Sequence, residues 1–320
     1  MISRLRGTTA IVALATAAGM LAPGAVHAES QSWWLDLEGG LEATDNVAGN
    51  PAADDPDNNS GQSDIAATIE LDAGYKFVDT DTTRIEVGYD FYQSLYQDQN
   101  DFNYRSHNPT FNAWTKTNGL KLGFTYGYLN SIYGEDAPFE QKLSQHSFSP
   151  SVAAYLSDVV YLSVFYRYLD KNYDDLNNSR DANTHQGGAD LYYYFDKPKR
   201  GYVSLGAGFT SEDTRSVAFD YDGYAARAAV QFPVDVFGKQ GRLRFSYAYQ
   251  RRDYDDPTST PDVLVGPRED NRHTLRAKLE LDITDDLKGL AEYRYVNRES
   301  NLVTADYQEN VGSLGLRFSF

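Results

Sequence analysis

The chain is 320 residues long, carries 29 lysines and arginines against 46 acids, and has a net charge of −17. It contains no cysteine, which excludes a disulfide framework, thiolate metal sites and cysteine nucleophiles. The acidic balance opposes nucleic-acid binding, the 14% of aromatic residues opposes disorder, and the low mean hydropathy excludes a bundle of membrane helices. A β-barrel escapes that last exclusion, because only alternate residues of its strands need be apolar.

Residues Met1–Ala28 read as a secretory signal peptide. Arg4 and Arg6 form the positive region, Ala10–Ala22 is apolar but short for a membrane span, and Val26-His27-Ala28 offers a small-residue cleavage site. The alternative is an N-terminal anchor. Cleavage after Ala28 removes both arginines, so the mature net charge becomes −19. The chain thus divides into a signal peptide, 1–28, and a barrel, 29–320.

From there the hydrophobic period is two. In Ile65–Phe77, one face carries Ile65, Ala67, Ile69, Leu71, Ala73, Tyr75 and Phe77, and the other Ala66, Thr68, Glu70, Asp72, Gly74 and Lys76. Fourteen such segments follow in order: Trp33–Val47, Asp64–Val78, Thr83–Gln97, His107–Lys116, Leu120–Tyr133, Gln145–Leu156, Val159–Asn172, Asn183–Phe195, Gly201–Glu212, Phe219–Phe232, Arg242–Tyr254, Asn271–Thr284, Lys288–Arg298 and Tyr307–Phe320. Tight turns such as Thr117-Asn118-Gly119 and Ser157-Asp158 alternate with polar loops, of which Ala48–Ser63 and Asp255–Glu269 are the largest. Pro233–Gly241 reads as an exception, a longer connection on the short-turn side.

This pattern predicts an all-β protein: a transmembrane antiparallel β-barrel of about 14 strands, with short periplasmic turns and longer extracellular loops. A soluble β-sandwich or β-helix would not place so many Tyr and Phe outward at segment ends. In the last segment Leu314, Leu316, Phe318 and Phe320 alternate with Gly315, Arg317 and Ser319. A terminal aromatic on such a strand resembles the assembly signal of bacterial outer-membrane proteins. The expected surroundings are therefore outer-membrane lipid and the barrel assembly machinery of a Gram-negative cell.

Two motifs carry a family resemblance. Leu41-Glu42-Ala43-Thr44-Asp45-Asn46-Val47 resembles the opening of the β-barrel porin 2 group. The closing hairpin, Tyr293-Arg294-Tyr295-Val296-Asn297-Arg298-Glu299-Ser300-Asn301 continuing to Asp306-Tyr307, Asn310 and Phe320, resembles the end of that group. It is also similar to the barrel domain of surface lipoprotein assembly modifiers. The resemblance implies an outer-membrane barrel and says little of its cargo.

Alternation also sorts the lumen. Asp36, Glu38, Glu42, Glu70, Asp72, Glu86 and Asp90 form an expected acidic wall, against Lys76 and Arg84. Arg227, Arg242, Arg244, Arg252, Arg276, Lys278, Lys288, Arg294, Arg298 and Arg317 form an expected basic wall, against Glu280, Asp282 and Glu292. Such walls either polarise a wet channel or pair and fill it. Inward Gly74, Gly88, Gly123, Gly127, Ser149, Ser151, Ser163, Gly188, Ser204, Gly206, Gly208 and Gly315 suggest room. Trp114, Tyr155, Tyr161, Phe165, Tyr192, Tyr194 and Tyr202 either offer stacking faces to a solute or pack the short-turn rim. Three repeats, Tyr166-Arg-Tyr to Lys171, Tyr247-Ala-Tyr to Arg252 and Tyr293-Arg-Tyr to Arg298, place a base at the outer mouth, to attract anions or to balance acidic loops.

No catalytic spacing emerges. The four histidines of the barrel, His107, His146, His185 and His273, specify no triad, and Ser147 beside His146 points to the opposite face. Asp55-Pro-Asp57-Asn-Asn59-Ser60-Gly61 departs from a calcium loop at Ser60 and at Ala66. The expectation is a channel passing small hydrophilic solutes by diffusion, without enzyme activity, cofactor or metal. The alternative is a barrel partner in export or surface display of a polysaccharide or lipoprotein.

Overall fold

The computed structural model describes residues 32–47, 63–134, 141–174, 178–196, 200–255, 267–302 and 305–320. Met1–Ala28, nearly all of Ala48–Ser63 with its calcium-like motif, and most of Asp255–Glu269 lie outside the described residues.

Fourteen strands form one closed antiparallel barrel: β1 Trp33–Thr44, β2 Asp64–Asp79, β3 Thr83–Tyr96, β4 Tyr104–Thr117, β5 Leu120–Tyr133, β6 Gln141–Tyr155, β7 Val160–Tyr173, β8 Ala182–Tyr194, β9 Tyr202–Thr214, β10 Tyr221–Val236, β11 Lys239–Tyr254, β12 Glu269–Asp282, β13 Leu287–Ser300 and β14 Tyr307–Ser319. Every strand pairs with its sequence neighbours, and β1 pairs with β14 from Asp36↔Ser319 to Thr44↔Val311. Closure leaves no free sheet edge, the condition for strands to survive in hydrocarbon.

Side-chain alternation makes the two faces. Outside, Leu37, Leu41, Ile69, Val87, Phe124, Val152, Val164, Leu205, Phe245 and Leu275 are exposed. Exposed outward leucines and aromatics on this scale suit a lipid-facing surface and not one in water. Leu314, Leu316, Phe318 and Phe320 are all exposed on that outer face, next to the seam.

The turns explain the strand ends. Asn118 and Gly119 both have positive φ, 50° and 79°, the two-residue hairpin geometry whose twist matches the flanking strands. The Pro233–Gly241 stretch is a correction to the sequence reading. β10 runs on to Val236, β11 starts at Lys239, and Phe237-Gly238 makes the turn with φ of 53° and 75°. Asp235 Oδ1 accepts the Gly238 N–H at 2.9 Å and closes it. The connection is therefore tight, like most others at this end. Phe195–Gly201 is the longer one there.

Candidate functional site

The lumen is the one space that every inward side chain reaches. The ladder registers put all seven expected acids and all ten expected bases on one face of the sheet, opposite the exposed leucines and aromatics. The two walls share the β14–β1 seam; they are neighbours, not opposite faces of the cylinder.

The acidic wall is a set of direct cross-strand like pairs: Asp36↔Asp72 and Glu38↔Glu70 between β1 and β2, and Asp72↔Asp90 between β2 and β3. Like charges placed directly opposite destabilise a sheet, so this row is tolerated only with water or counter-ions beside it. Among the described residues, Glu38 is the only one of the seven in an ion pair; it accepts from Arg317 Nη2 at 2.7 Å and Nε at 3.1 Å across the seam. Asp72 accepts the Trp34 indole N–H at 2.6 Å and Asp90 accepts from Asn108 at 3.0 Å. Glu70 is solvent-exposed inside the barrel.

The basic wall differs. Arg227 binds Asp190 at 3.0 Å, Arg242 binds Glu280 at 2.6 Å, Arg276 binds Glu292 at 3.0 Å, and Lys278 lies 3.5 Å from Glu280. Arg294 lies 3.8 Å from Glu309, and Arg298 binds Asp270. Arg244 and Arg252 have no carboxylate partner among the described residues, and Arg252 instead lies over the Tyr221 ring at 4.6 Å. Asp190, Glu212, Glu309 and the inward Arg272 were missed by the sequence reading. The alternation that put Gly188 and Tyr192 inside places Asp190 there too, so the signal was present.

Along the barrel axis the lumen changes character. Near the long-loop end the wall is packed. Glu212 accepts from Lys171 at 2.7 Å and from Thr184 and Tyr221 hydroxyls at 3.1 Å each. Thr184 is 0% and Leu169 1% exposed beneath them, and further round the same wall, on β12, Asp270 is 2% exposed between Arg268, Arg298 and Ser300. Among the described residues, the mouth bases Lys171 and Arg298 thus bind the wall acids Glu212 and Asp270. At mid-height Glu70 is exposed, and nearer the short turns Arg242 is.

Two expectations about space need correction. Gly74 and Gly188 do not leave room for a solute. A Cβ on Gly74 would stand 2.2 Å from the Trp34 ring, and one on Gly188 would stand 2.8 Å from the Phe165 ring. These glycines let a neighbouring aromatic lie flat on the wall. The seven aromatics do not form one track either. Tyr155, Tyr161, Tyr192, Tyr194 and Tyr202 pack against one another, mostly tilted or edge-on, at the short-turn rim with ring centroids 4.8 to 6.3 Å apart, over buried Ala153. Trp114 stands apart among cations, with Lys121 at 4.4 Å and Lys116 at 5.2 Å from its ring. Phe165 lies over Gly188 with Arg227 at 5.9 Å. Rim packing is the arrangement observed for the five tyrosines.

Comparison with solved structures returns outer-membrane barrels. An anion-selective porin from Comamonas acidovorans aligns with a TM-score of 0.51 at 9% identity, over 90% of this chain and 98% of that one. CdiB from Acinetobacter baumannii aligns with a TM-score of 0.50 at 10% identity, over 91% of this chain; the chain spans 60% of CdiB. Likenesses this distant establish the fold alone. No curated protein sequence matches the chain. The model of one family, however, matches residues 57–320, from the first long loop to the terminal phenylalanine. The chain belongs to the family of surface lipoprotein assembly modifiers.

Proposed function

We propose that this barrel is a water-filled outer-membrane channel for small hydrophilic solutes, with cations favoured over anions. The observation that carries the reading is the unequal pairing of its walls. Six of the seven acids on β1–β3 lack a cationic partner among the described residues, whereas seven of the ten bases on β10–β14 are bound to acids. An unpaired carboxylate row needs water, and its field draws cations to the wall. The channel works without catalysis or cofactor. The outward face of Leu314, Leu316, Phe318 and Phe320 is what the assembly machinery pairs with. Planar-bilayer recording of the purified barrel tests the reading: steady conductance with a cation-favouring reversal potential supports it, and silence overturns it.

Family membership favours a second reading, in which the same lumen serves delivery of a lipoprotein to the cell surface. The packed layer near the long-loop end would then open only with cargo engaged. Protease shaving of intact cells with and without the barrel separates the two. Loss of surface-exposed lipoprotein supports the second reading, and unchanged exposure removes it.

A further inference from the structure

The outer face holds a repeat that the lumen does not use. In four hairpins a tyrosine hydroxyl meets the Nδ1 of a histidine on the next strand: Tyr89–His107 at 2.6 Å, Tyr126–His146 at 2.9 Å, Tyr166–His185 at 2.6 Å and Tyr247–His273 at 2.8 Å. Two residues further along the same strand, a second ring packs on the imidazole: Phe91, Tyr128, Tyr168 and Tyr249, at 4.9 to 5.3 Å. Each of these is also the Cα partner of its histidine. In β13–β14 the same geometry recurs with Asn310, which accepts from Tyr293 at 2.6 Å.

With the phenol donating to Nδ1, the ring proton sits on Nε2. No Nε2 finds a partner among the described residues. A bare N–H is costly in hydrocarbon. Each histidine stands nine or ten residues from the short-turn end of its strand, the length of a membrane crossing. The belt therefore marks the outer edge of the apolar band, at headgroup depth.

The surroundings single out one member. Asp170 is the Cα partner of His146 and, on its other side, of Asn183, two residues from His185. His273 has Glu269 on its own strand, held with Asp253 by Arg251. Among the described residues, His107 alone has no acid at its level: its partners across the ladders are Phe91 and Asn130, and Arg105 lies two residues along on the same outward face. Arg105 is exposed and makes no ion pair among the described residues. Its ladder partners are Gln93 and Ile132.

We propose that Arg105, His107 and Asn130 form a docking point for the phosphate of a phosphorylated glycolipid in the outer leaflet. The guanidinium supplies a charged fork suited to phosphate oxygens, the imidazole Nε2–H and the carboxamide supply further N–H donors, and the apolar band below takes the acyl chains. Tyr89 is a positioning residue, since its hydroxyl keeps the donor proton on Nε2.

The test uses the full barrel in an uncharged maltoside detergent, with lipid A carrying its phosphates, the same lipid dephosphorylated, or inorganic phosphate. Native mass spectrometry counts retained lipid. The wild type should retain the phosphorylated lipid about tenfold better than the dephosphorylated one. Arg105→Gln, which breaks no ion pair among the described residues, should remove most of that preference, and so should His107→Phe, which keeps the ring packing. His185→Phe should leave the preference intact. Equal retention of the two lipids, an equal loss in His185→Phe, or competition by millimolar inorganic phosphate would each overturn the proposal.

Discussion

The two walls of the lumen carry opposite charge on the same kind of scaffold, yet they are built differently. On β1–β3 the carboxylates stand opposite one another, Asp36 by Asp72 by Asp90, and none of the three meets a base among the described residues. On β10–β14 the bases also meet like partners, Arg276 by Arg294 and Arg244 by Lys278, but acids are interleaved and bind all of these except Arg244. Counting charges on a wall therefore misjudges its field. A paired arginine contributes a short-range dipole, and a free carboxylate contributes a monopole. Six of the seven acids on β1–β3 have no base beside them among the described residues, against three of the ten bases on β10–β14 with no acid.

The largest expected effect follows from removing that monopole. Replacing Asp36, Asp72 and Asp90 together with asparagine should reduce cation over anion permeability about fivefold, read from reversal potentials in a salt gradient. The same variant should be no less heat-stable than the wild type, because each opposed like pair costs roughly 0.2–1 kcal/mol. A selectivity left unchanged, with the fold intact, would show that these carboxylates do not face the conduction path.

A second contrast lies within the acidic wall itself. Glu38 is bound twice by Arg317, and Glu70, its Cα partner, by no base among the described residues. Glu38→Gln weakens a charged hydrogen-bonded pair across the seam and should cost about 1–2 kcal/mol. Glu70→Gln relieves repulsion and should cost nothing. Heat-modifiability on gels, with melting temperatures of both variants, checks the order. Equal losses would mean that the seam pair adds no stability.

How far the molecule could be read from its residues turns on this same distinction. Inside or outside is a local property: alternation alone placed Asp36, Glu70, Arg244 and Arg276 on the lumen wall, and the strand count and the terminal Phe320 face followed from the same period. Which acid meets which base is a property of register between strands far apart in sequence, and no local pattern encodes it. Glu38 and Arg317 are separated by almost the whole chain and still form the seam pair. The glycines failed for a related reason. Gly74 looked like open space until its cross-strand partner proved to be Trp34. Pro233 looked like a loop, but at the end of β10 a missing N–H is tolerated and the strand continues.

A third, smaller effect separates paired from unpaired bases. Neutralising Arg244, Arg276 and Arg294 together should move the preference further toward cations. Arg244→Gln removes a free positive charge and Arg276→Gln frees the Glu292 carboxylate, so each makes the wall more negative by the same charge. Stability separates them: Arg276→Gln loses a bound pair and should lower the melting temperature, whereas Arg244→Gln breaks no ion pair among the described residues and should not. Equal melting temperatures of the two single variants would mean that the bound pair adds no stability.

The smallest effect is the response to salt, and it tests whether the acids sense the solvent at all. Screening shortens the reach of a charge from roughly 10 Å at 0.1 M to about 3 Å at 1 M. A carboxylate row facing open water should lose most of its influence over that range, so wild-type selectivity should fall toward that of the Asp36, Asp72 and Asp90 triple variant at 1 M. The bound pairs behave otherwise. Arg317 and Glu38 are both about a quarter exposed and in contact, so added ions cannot enter between them. Their effect on melting temperature should persist at 1 M, and the stability gap between Glu38→Gln and Glu70→Gln should remain. A selectivity that survives 1 M salt would mean that the acids sit in a constriction that mobile ions cannot screen. A stability gap that collapses would mean that the seam pair is as open to water as the row beside it.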